Sequence, residues 1–510
     1  MTSSEVKEFL SEQLPSVDFD ADFLFSSLDS LGIATILYAL AGKYGVHLSS
    51  EDVTPRNFRS VESITRMVRS KMTLEGRIHQ HAVINPDKPA IICDGQTLSY
   101  SQLWEAIVQK AEELKASGLK PRRAYVFRAV QGAEFVVTYC AVHYLGAVAV
   151  PLERLALEEN FARVSSELSE VEFGEDIADV LYTTGTTGKS KGAMISRTSL
   201  MACAENFIVD LKFSSGLLFI ISGPLNHIAS LFKLHPMLSV GGTVYIMDGL
   251  KDLNAFFKVF DLPFSKFGTF QVPASLRMIM QFAYDRLCSL ADRFDLIETG
   301  AAPISSADMA QLSKALPNTR LYNTYGGTEI GCVASYEFND GKYMEGCIGR
   351  PLKNAALEVA PDGTLVVSGS TIMSGYVGDE ESTRQVIIDG KVYMSDLGYV
   401  DEDGLIHLSG RKGDIINMGG YKVNPVEVEN AAESFPGVAD SLCTGADHPV
   451  VGTVLKLIVV PEKGAQVDKK ALANYLKGKL DFYKVPNVYE FAESVKYTYN
   501  GKKDRKHYLS

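Results

Sequence analysis

Eleven consecutive residues, Tyr182-Thr183-Thr184-Gly185-Thr186-Thr187-Gly188-Lys189-Ser190-Lys191-Gly192, constrain this chain more than any other stretch. They lie between two apolar segments, Asp179-Val180-Leu181-Tyr182 and Ala193-Met194-Ile195-Ser196. That pattern predicts a short buried strand, a loop, and a second element beginning directly after it. Four threonines, three glycines and two lysines make a poor core and a good cradle for phosphate. Glycine lets the backbone approach a ligand and turn its N–H groups inward. Threonine adds hydroxyl donors and lysine adds positive charge. The Gly-x-x-x-x-Gly-Lys-Ser/Thr spacing of a P-loop is absent. A plain surface loop seldom repeats Thr-Gly in this way.

A chain of 510 residues exceeds what one core supports, so two to four domains are expected. Hydrophobic residues at 46% and charged residues at 22% suit a globular protein. The net charge of −12 and pI near 5.4 argue against a nucleic-acid partner. Seven scattered cysteines with no Cys-x-x-Cys pair read as free thiols in a reducing cytoplasm, and the polar, acidic start Met1–Glu8 does not read as a signal peptide. Phe135 to Leu152 is almost wholly apolar, but His143, Gly146 and Pro151 punctuate it. A buried helix ending near Leu145 and a strand Ala147–Val150 explain it better than a membrane span.

Residues 1–71 read as a separate helical unit. Val6, Phe9, Leu10 and Leu14 fall at helical spacing before Pro15, and Leu28-Asp29-Ser30-Leu31-Gly32 opens a second helix with Leu31, Ile33, Ile36, Leu37 and Leu40 on its apolar face. A last helix carries Val61, Ile64 and Met67. The first thirty residues are strongly acidic, with Lys7 their one basic residue. Beyond Leu74, strands and helices alternate, which implies doubly wound α/β sheets.

The phosphate-loop sequence resembles the signature of the adenylate-forming enzymes: acyl-CoA synthetases, peptide-synthetase adenylation domains and luciferases. Thr184 stands where that family usually has Ser, and Ser190 where it has Pro. Further motifs match along the chain. The resemblance implies that Thr183, Thr184, Gly185, Thr186, Thr187, Gly188 and Lys191 hold the ATP phosphates. In Tyr325-Gly326-Gly327-Thr328-Glu329 it implies that Tyr325 flanks the adenine, Thr328 contacts the α-phosphate and Glu329 binds Mg²⁺. Gly300-Ala301-Ala302 matches the small-residue segment against which adenine lies; Asp396 is placed to accept from both ribose hydroxyls, with Arg411 reaching ribose or phosphate. Gly413 falls at the hinge of a mobile C-terminal lid, whose Gly419-Gly420 would pass a pantetheine arm. In Gly501-Lys502-Lys503-Asp504-Arg505, Lys502 is the expected catalytic lysine, and Lys503 and Lys506 read as solvated. The implied division is a large adenylation part over 74–411 and a small α+β lid over 412–510. Only about thirty residues separate Val150 from Tyr182, so a strand usual in the family is expected to be missing there.

Residues 1–71 resemble an acyl (peptidyl) carrier protein, a four-helix fold whose Asp-Ser-Leu serine receives 4′-phosphopantetheine from a phosphopantetheinyl transferase. Ser30 is that serine here; a phosphodiester at a helix start is favoured by free N–H groups and the dipole. Leu-Asp-Ser-Leu taken alone also suits a plain helix cap. Pro224–Ser230 aligns with the acyl pocket, and His227, Ile228, Phe270 and Thr299 are its expected lining. Amino-acid activators carry Asp where Ile228 stands, and an ammonium beside Ile would lack a partner. A fatty, aryl or other simple acid is therefore expected. The combined reading is ATP- and Mg²⁺-dependent loading of an acid onto the chain's own or another copy's carrier, for passage to downstream acyl-accepting enzymes. The alternative is an acyl-CoA ligase whose carrier-like unit recruits partners.

Overall fold

The first helix, Ser3–Gln13, starts at a reciprocal capping box: Thr2 accepts from the Glu5 N–H, and the Glu5 carboxylate accepts from the Thr2 N–H. It packs with a single turn at Leu24–Ser27, a long helix Ser30–Tyr44 and a helix Val61–Met72. Val6, Leu10, Ile36, Leu40, Phe58, Ile64 and Val68 are fully buried in a hydrophobic cluster of their own. Leu31, expected in that core, is instead 74% exposed. It is the second residue of its helix and points outward beside Ser30, while Gly32 turns inward. The computed structural model describes the chain apart from residues 1, 22, 45, 47, 184–189, 419–420, 449–451, 498–502 and 509–510.

Between the bundle and the rest there is a corner instead of a linker. Thr73 ends the helix Val61–Met72 and caps the next, Leu74–Ile84, by accepting from the Gly76 N–H. A Cβ on Gly76 would lie 2.4 Å from the Ser70 carbonyl oxygen, so only glycine permits this approach.

From there the α/β pattern holds. Among the described residues, a parallel run of strands, Thr243–Ile246, Leu217–Ile221, Lys266–Phe270, Phe294–Gly300 and Arg320–Gly327, forms the middle of a large mixed sheet. A second sheet carries Ala124–Ala129, Val148–Glu153 and Ile177–Thr183 in parallel, then Lys191–Ser196 antiparallel, and Gly375–Tyr376 at its edge. One largely apolar layer fills the space between the sheets, including Tyr139, Phe207, Phe219, Leu231 and Leu234, with buried polar groups such as His143, Asp179 and Lys233 set into it. The apolar stretch 135–152 is the helix Ala133–Tyr144 followed by a strand from Val148, as expected, and no helix among the described residues is long and apolar enough to cross a membrane. Between Glu153 and Ile177 the described chain holds a helix, Glu158–Leu168, and no strand. After Arg411 the chain forms a small α+β unit: a two-stranded ribbon, a three-stranded sheet from Val438–His448, Gly452–Pro461 and Val488–Phe491, and the helices Pro425–Glu433 and Lys469–Lys479 packed in their own core.

Candidate active site

Strand pairing sets the phosphate loop. Thr183 and Lys191 are register partners at the open end of an antiparallel pair, and the Thr183 hydroxyl donates to the Lys191 carbonyl. Thr184, Gly185, Thr186, Thr187 and Gly188, between them, lie outside the described residues. The Lys191 ammonium donates to the Ser382 hydroxyl at 2.7 Å and sits 5.2 Å from the Tyr376 ring centroid. Tyr376 then donates its hydroxyl to Glu329 at 3.0 Å. This tyrosine, absent from the sequence reading, joins the phosphate-loop lysine to the expected magnesium carboxylate. Burial and the Glu329 charge together raise its hydroxyl pKa. No motif marks it in the sequence; the fold brings it to the loop, because Gly375-Tyr376 pairs with Met194 and Ala193 directly after it.

Glu329 and Thr328 occupy the tight turn between strands Arg320–Gly327 and Gly331–Glu337, both half-buried. Among the described residues no group of three or more His, Cys, Asp or Glu side chains comes together as a metal cluster. One carboxylate is a fitting protein ligand for Mg²⁺ held mostly by phosphate oxygens and water; one Glu329 oxygen bonds Tyr376 and the other lies toward Gly327.

A second constellation joins strand ends from distant parts of the sequence. Tyr325 donates its hydroxyl to Asp396 at 2.8 Å, and the Arg411 guanidinium donates to the other Asp396 oxygen at 2.6 Å. Asp396 and Arg411 are brought opposite by register between Lys391–Val400 and Ile406–Arg411. Burial and the Asp396 charge push the Tyr325 hydroxyl well above its ordinary range. Burial works against the Arg411 charge, but Asp396 outweighs it and raises its pKa. Gly300 pairs with Thr324, next to Tyr325, and a Cβ there would lie 2.6 Å from the Thr324 carbonyl oxygen. Ala301, which follows, has φ 64°, uncommon for a residue with a side chain. Gly300, Ala301 and Ala302 thus form a small-residue shelf beside Tyr325.

The four expected pocket residues fall on three neighbouring elements. His227 caps the helix Ile228–Ser239, its Nδ1 accepting from the Ala229 N–H at 3.3 Å. Ile228 is half-buried against the inter-sheet core. Phe270 ends its strand half-buried on the same face as Ile228, whereas Thr299, fully buried, follows Phe270's register partner Glu298 and so points to the opposite face of the sheet, away from the other three.

In the lid, Lys502 lies outside the described residues, and so do Gly419 and Gly420. Its neighbour Lys503 corrects the expectation of solvent exposure. It sits among carboxylates: Glu433 at 2.6 Å, Asp440 at 3.0 Å and Glu429 at 3.6 Å. Its side chain is 16% exposed. Burial opposes its charge, but the three carboxylates prevail and raise its pKa. A bridge pairs Tyr497 with Lys503, on either side of residues 498–502. Arg505 is bonded to Glu429, and Arg277 of the large part reaches Glu433 at 3.7 Å. The side chain of Glu433 thus meets both the lid's lysine and the body's arginine. Gly413 lies in the turn after Arg411; a Cβ there would meet open space, so this conformation does not itself demand glycine. Ser30 is exposed at the first position of its helix, and Asp29 is the cap, its Oδ1 accepting from the Gly32 N–H at 2.7 Å.

The chain matches the family model described as AMP-binding enzyme over residues 78–169 and 157–377, and that of the AMP-binding enzyme C-terminal domain over 427–502. It belongs to the AMP-binding enzyme family. It is 28% identical to a feruloyl-CoA synthase of an Amycolatopsis species, over 83% of this chain and 96% of that enzyme. It is also 28% identical to the fatty acid–[acyl-carrier-protein] ligase ScoC of Streptomyces coeruleorubidus, over 83% of this chain and 93% of that one. Its fold is similar to that of ATP-bound MatB from Rhodopseudomonas palustris, with TM-score 0.78 at 24% identity over 86% of this chain and 98% of that chain. The protein is an ATP-dependent, AMP-forming carboxylic acid–thiol ligase.

Proposed function

We propose that this ligase activates a simple carboxylic acid as its acyl-adenylate and passes the acyl group to a phosphopantetheine thiol on Ser30, in its own bundle or in that of a second copy. The observation that carries the reading is the N-terminal bundle itself: a separately cored helical unit with an exposed serine at a helix start, joined to an acid-activating body through Thr73. The likeness to an acyl-carrier-protein ligase supports it. In this reading the acid's carboxylate attacks the α-phosphorus of ATP and pyrophosphate leaves. Two anions must meet, so fixed donors and cations around phosphorus supply most of the catalysis. Thr183, Lys191 and the loop between them hold phosphate. Asp396 and Arg411 hold ribose, Tyr325 and the shelf at Gly300–Ala302 hold adenine, and Thr328 meets the α-phosphate. Glu329 would hold Mg²⁺, whose charge, when bound, neutralises the phosphate oxygens. Lys502 bridges carboxylate and phosphate, and the lid then rotates about Gly413 to admit the thiol.

Ile228, where amino-acid activators need a carboxylate, favours acids without an α-ammonium. The feruloyl-CoA synthase and 2-succinylbenzoate–CoA ligase among its relatives support an aryl or similar acid, and favour CoA as the competing acceptor. Intact-mass analysis after treatment with a phosphopantetheinyl transferase and CoA, then with ATP and an acid panel, separates the two acceptors. Acyl mass on the protein is the expected result. Free acyl-CoA with an unmodified protein would overturn the carrier reading and leave the ligase.

A further inference from the structure

One turn into the helix Ile228–Ser239, on the face that carries Ala229, stands a lysine that the ATP chemistry does not use. Lys233 is 3% exposed. Its ammonium lies 2.8 Å from Glu298 Oε1, 3.8 Å from the Phe207 ring centroid and 5.1 Å from that of Phe270. Glu298 is 1% exposed and directly precedes Thr299. The same oxygen accepts from the Thr324 hydroxyl at 2.7 Å. Glu298 Oε2 and Thr299 Oγ1 are buried with no hydrogen-bond partner among the described residues. A buried ion pair is weak evidence for stability, because removing both charges from water costs about as much as their attraction returns. Its place therefore calls for another reason.

That place is the far side of the acid site. Phe270, the register partner of Glu298 on the neighbouring strand, faces the ammonium across 5.1 Å, and the His227–Ile228 end of the helix is one turn away. From Ala229 to Lys233 is four residues, about 6 Å along a helix axis. An acid entering past Ile228 and lying along that helix would meet the ion pair at about that depth. A longer alkyl tail would have to stop against the pair or separate it, and separating it leaves two buried charges without partners.

We infer that the Lys233–Glu298 pair is the floor of the acid pocket and restricts the substrate to compact acids, a single aryl ring or a short chain, against long alkyl chains. This rests on the acid-activating part of the proposed function and not on the carrier. ATP–pyrophosphate exchange tests it, since it reads adenylation without any thiol acceptor. The panel is benzoate, cinnamate, butyrate, octanoate and palmitate. Wild type should favour the best compact acid over palmitate by on the order of a hundredfold, more than one methylene's discrimination, because the excess is many methylenes. Lys233→Met combined with Glu298→Leu keeps the volume and removes both charges, a replacement that buried pairs tolerate; Thr324 keeps the Thr299 carbonyl as acceptor, at 3.2 Å. This variant should raise octanoate relative to benzoate by on the order of tenfold with an unchanged KM for ATP. Palmitate used by wild type as well as benzoate, or an unshifted profile in a folded double variant, overturns the inference. The wild-type profile decides it even where the double variant does not fold. Exchange with no acid at all would overturn the acid-activation reading with it, whereas exchange without acylation of Ser30 would overturn only the carrier.

Discussion

Replacing Lys503 with methionine removes a charge at the centre of the lid, and the structure sets the cost. Three carboxylates lose a partner, but unequally. Glu429 keeps Arg505, with a bond of 3.0 Å, and Asp440 keeps the Tyr497 hydroxyl at 2.6 Å. Among the described residues Glu433 keeps the Ser441 hydroxyl at 3.1 Å and N–H at 3.2 Å, and Arg277 at 3.7 Å. Breaking a buried pair by removing one partner costs about 3–5 kcal/mol. With two of the three carboxylates still held, the lower end applies, about 3 kcal/mol. Native-state hydrogen exchange in the helix Pro425–Glu433 reads this as protection lost by on the order of a hundredfold. The loss should depend on pH. Burial already raises the Glu433 pKa, and without Lys503 it rises further. A carboxyl whose folded pKa exceeds its unfolded value binds more protons when folded, so stability increases as pH falls through the folded pKa. The deficit of Lys503→Met should therefore be full at neutral pH and shrink toward the ordinary carboxyl range. Adding Glu433→Gln should restore most of the protection at neutral pH. A loss below about 1 kcal/mol, typical of an exposed pair, would refute the buried nest.

Lys502→Ala should lower acid adenylation by on the order of two to four decades while sparing thioester formation from a supplied acyl-adenylate; equal loss in both half-reactions would remove it from its role. Ile228→Asp should depress exchange with simple acids, because an unpaired carboxylate in an apolar wall is costly, and a wild type that prefers α-amino acids would contradict the pocket assignment. His143, held between Glu75 at 3.3 Å and Asp179 at 2.8 Å, resists the effect of its burial through those charges and is raised to about 9. A histidine with a raised folded pKa gives stability in full below its unfolded value and loses it as pH climbs through the folded one. The urea midpoint of the chain should fall between pH 7 and 9, and His143→Gln should flatten that fall; an unchanged slope would count against the charged state of the cluster.

Where local spacing carried the information, the sequence was readable. The helices around Val6–Leu10 and Val61–Met67 and the break between Leu145 and Val148 follow from apolar periodicity and turn residues alone. Tyr325, Asp396 and Arg411 could be picked out by motif, but not their mutual bonding, which depends on the register between two strands. Lys503 lies within a run of basic residues near a chain end, which by itself predicts solvation. Its partners Glu429, Glu433 and Asp440 come from a helix and a strand folded beneath it, and nothing in the run itself signals them. Lys233 and Glu298 left a fainter trace: each is a single charge inside an apolar segment, Leu231-Phe232-Lys233-Leu234 and Leu296-Ile297-Glu298-Thr299. Leu31 shows the reverse error, an apolar residue counted into the core by spacing although its position in the first turn faces solvent.

We propose that an acid-activating site and its acceptor thiol share one chain. Ser30→Ala compared with wild type, both treated with a phosphopantetheinyl transferase and then with ATP and acid, tests it most directly by intact mass alongside pyrophosphate exchange. Wild type should gain the arm and then the acyl group. Ser30→Ala should gain neither, yet exchange pyrophosphate at nearly the wild-type rate, because adenylation draws on residues from Thr183 to Lys502 only. Acylation of Ser30→Ala, or a wild type that never takes up the arm, would contradict the account.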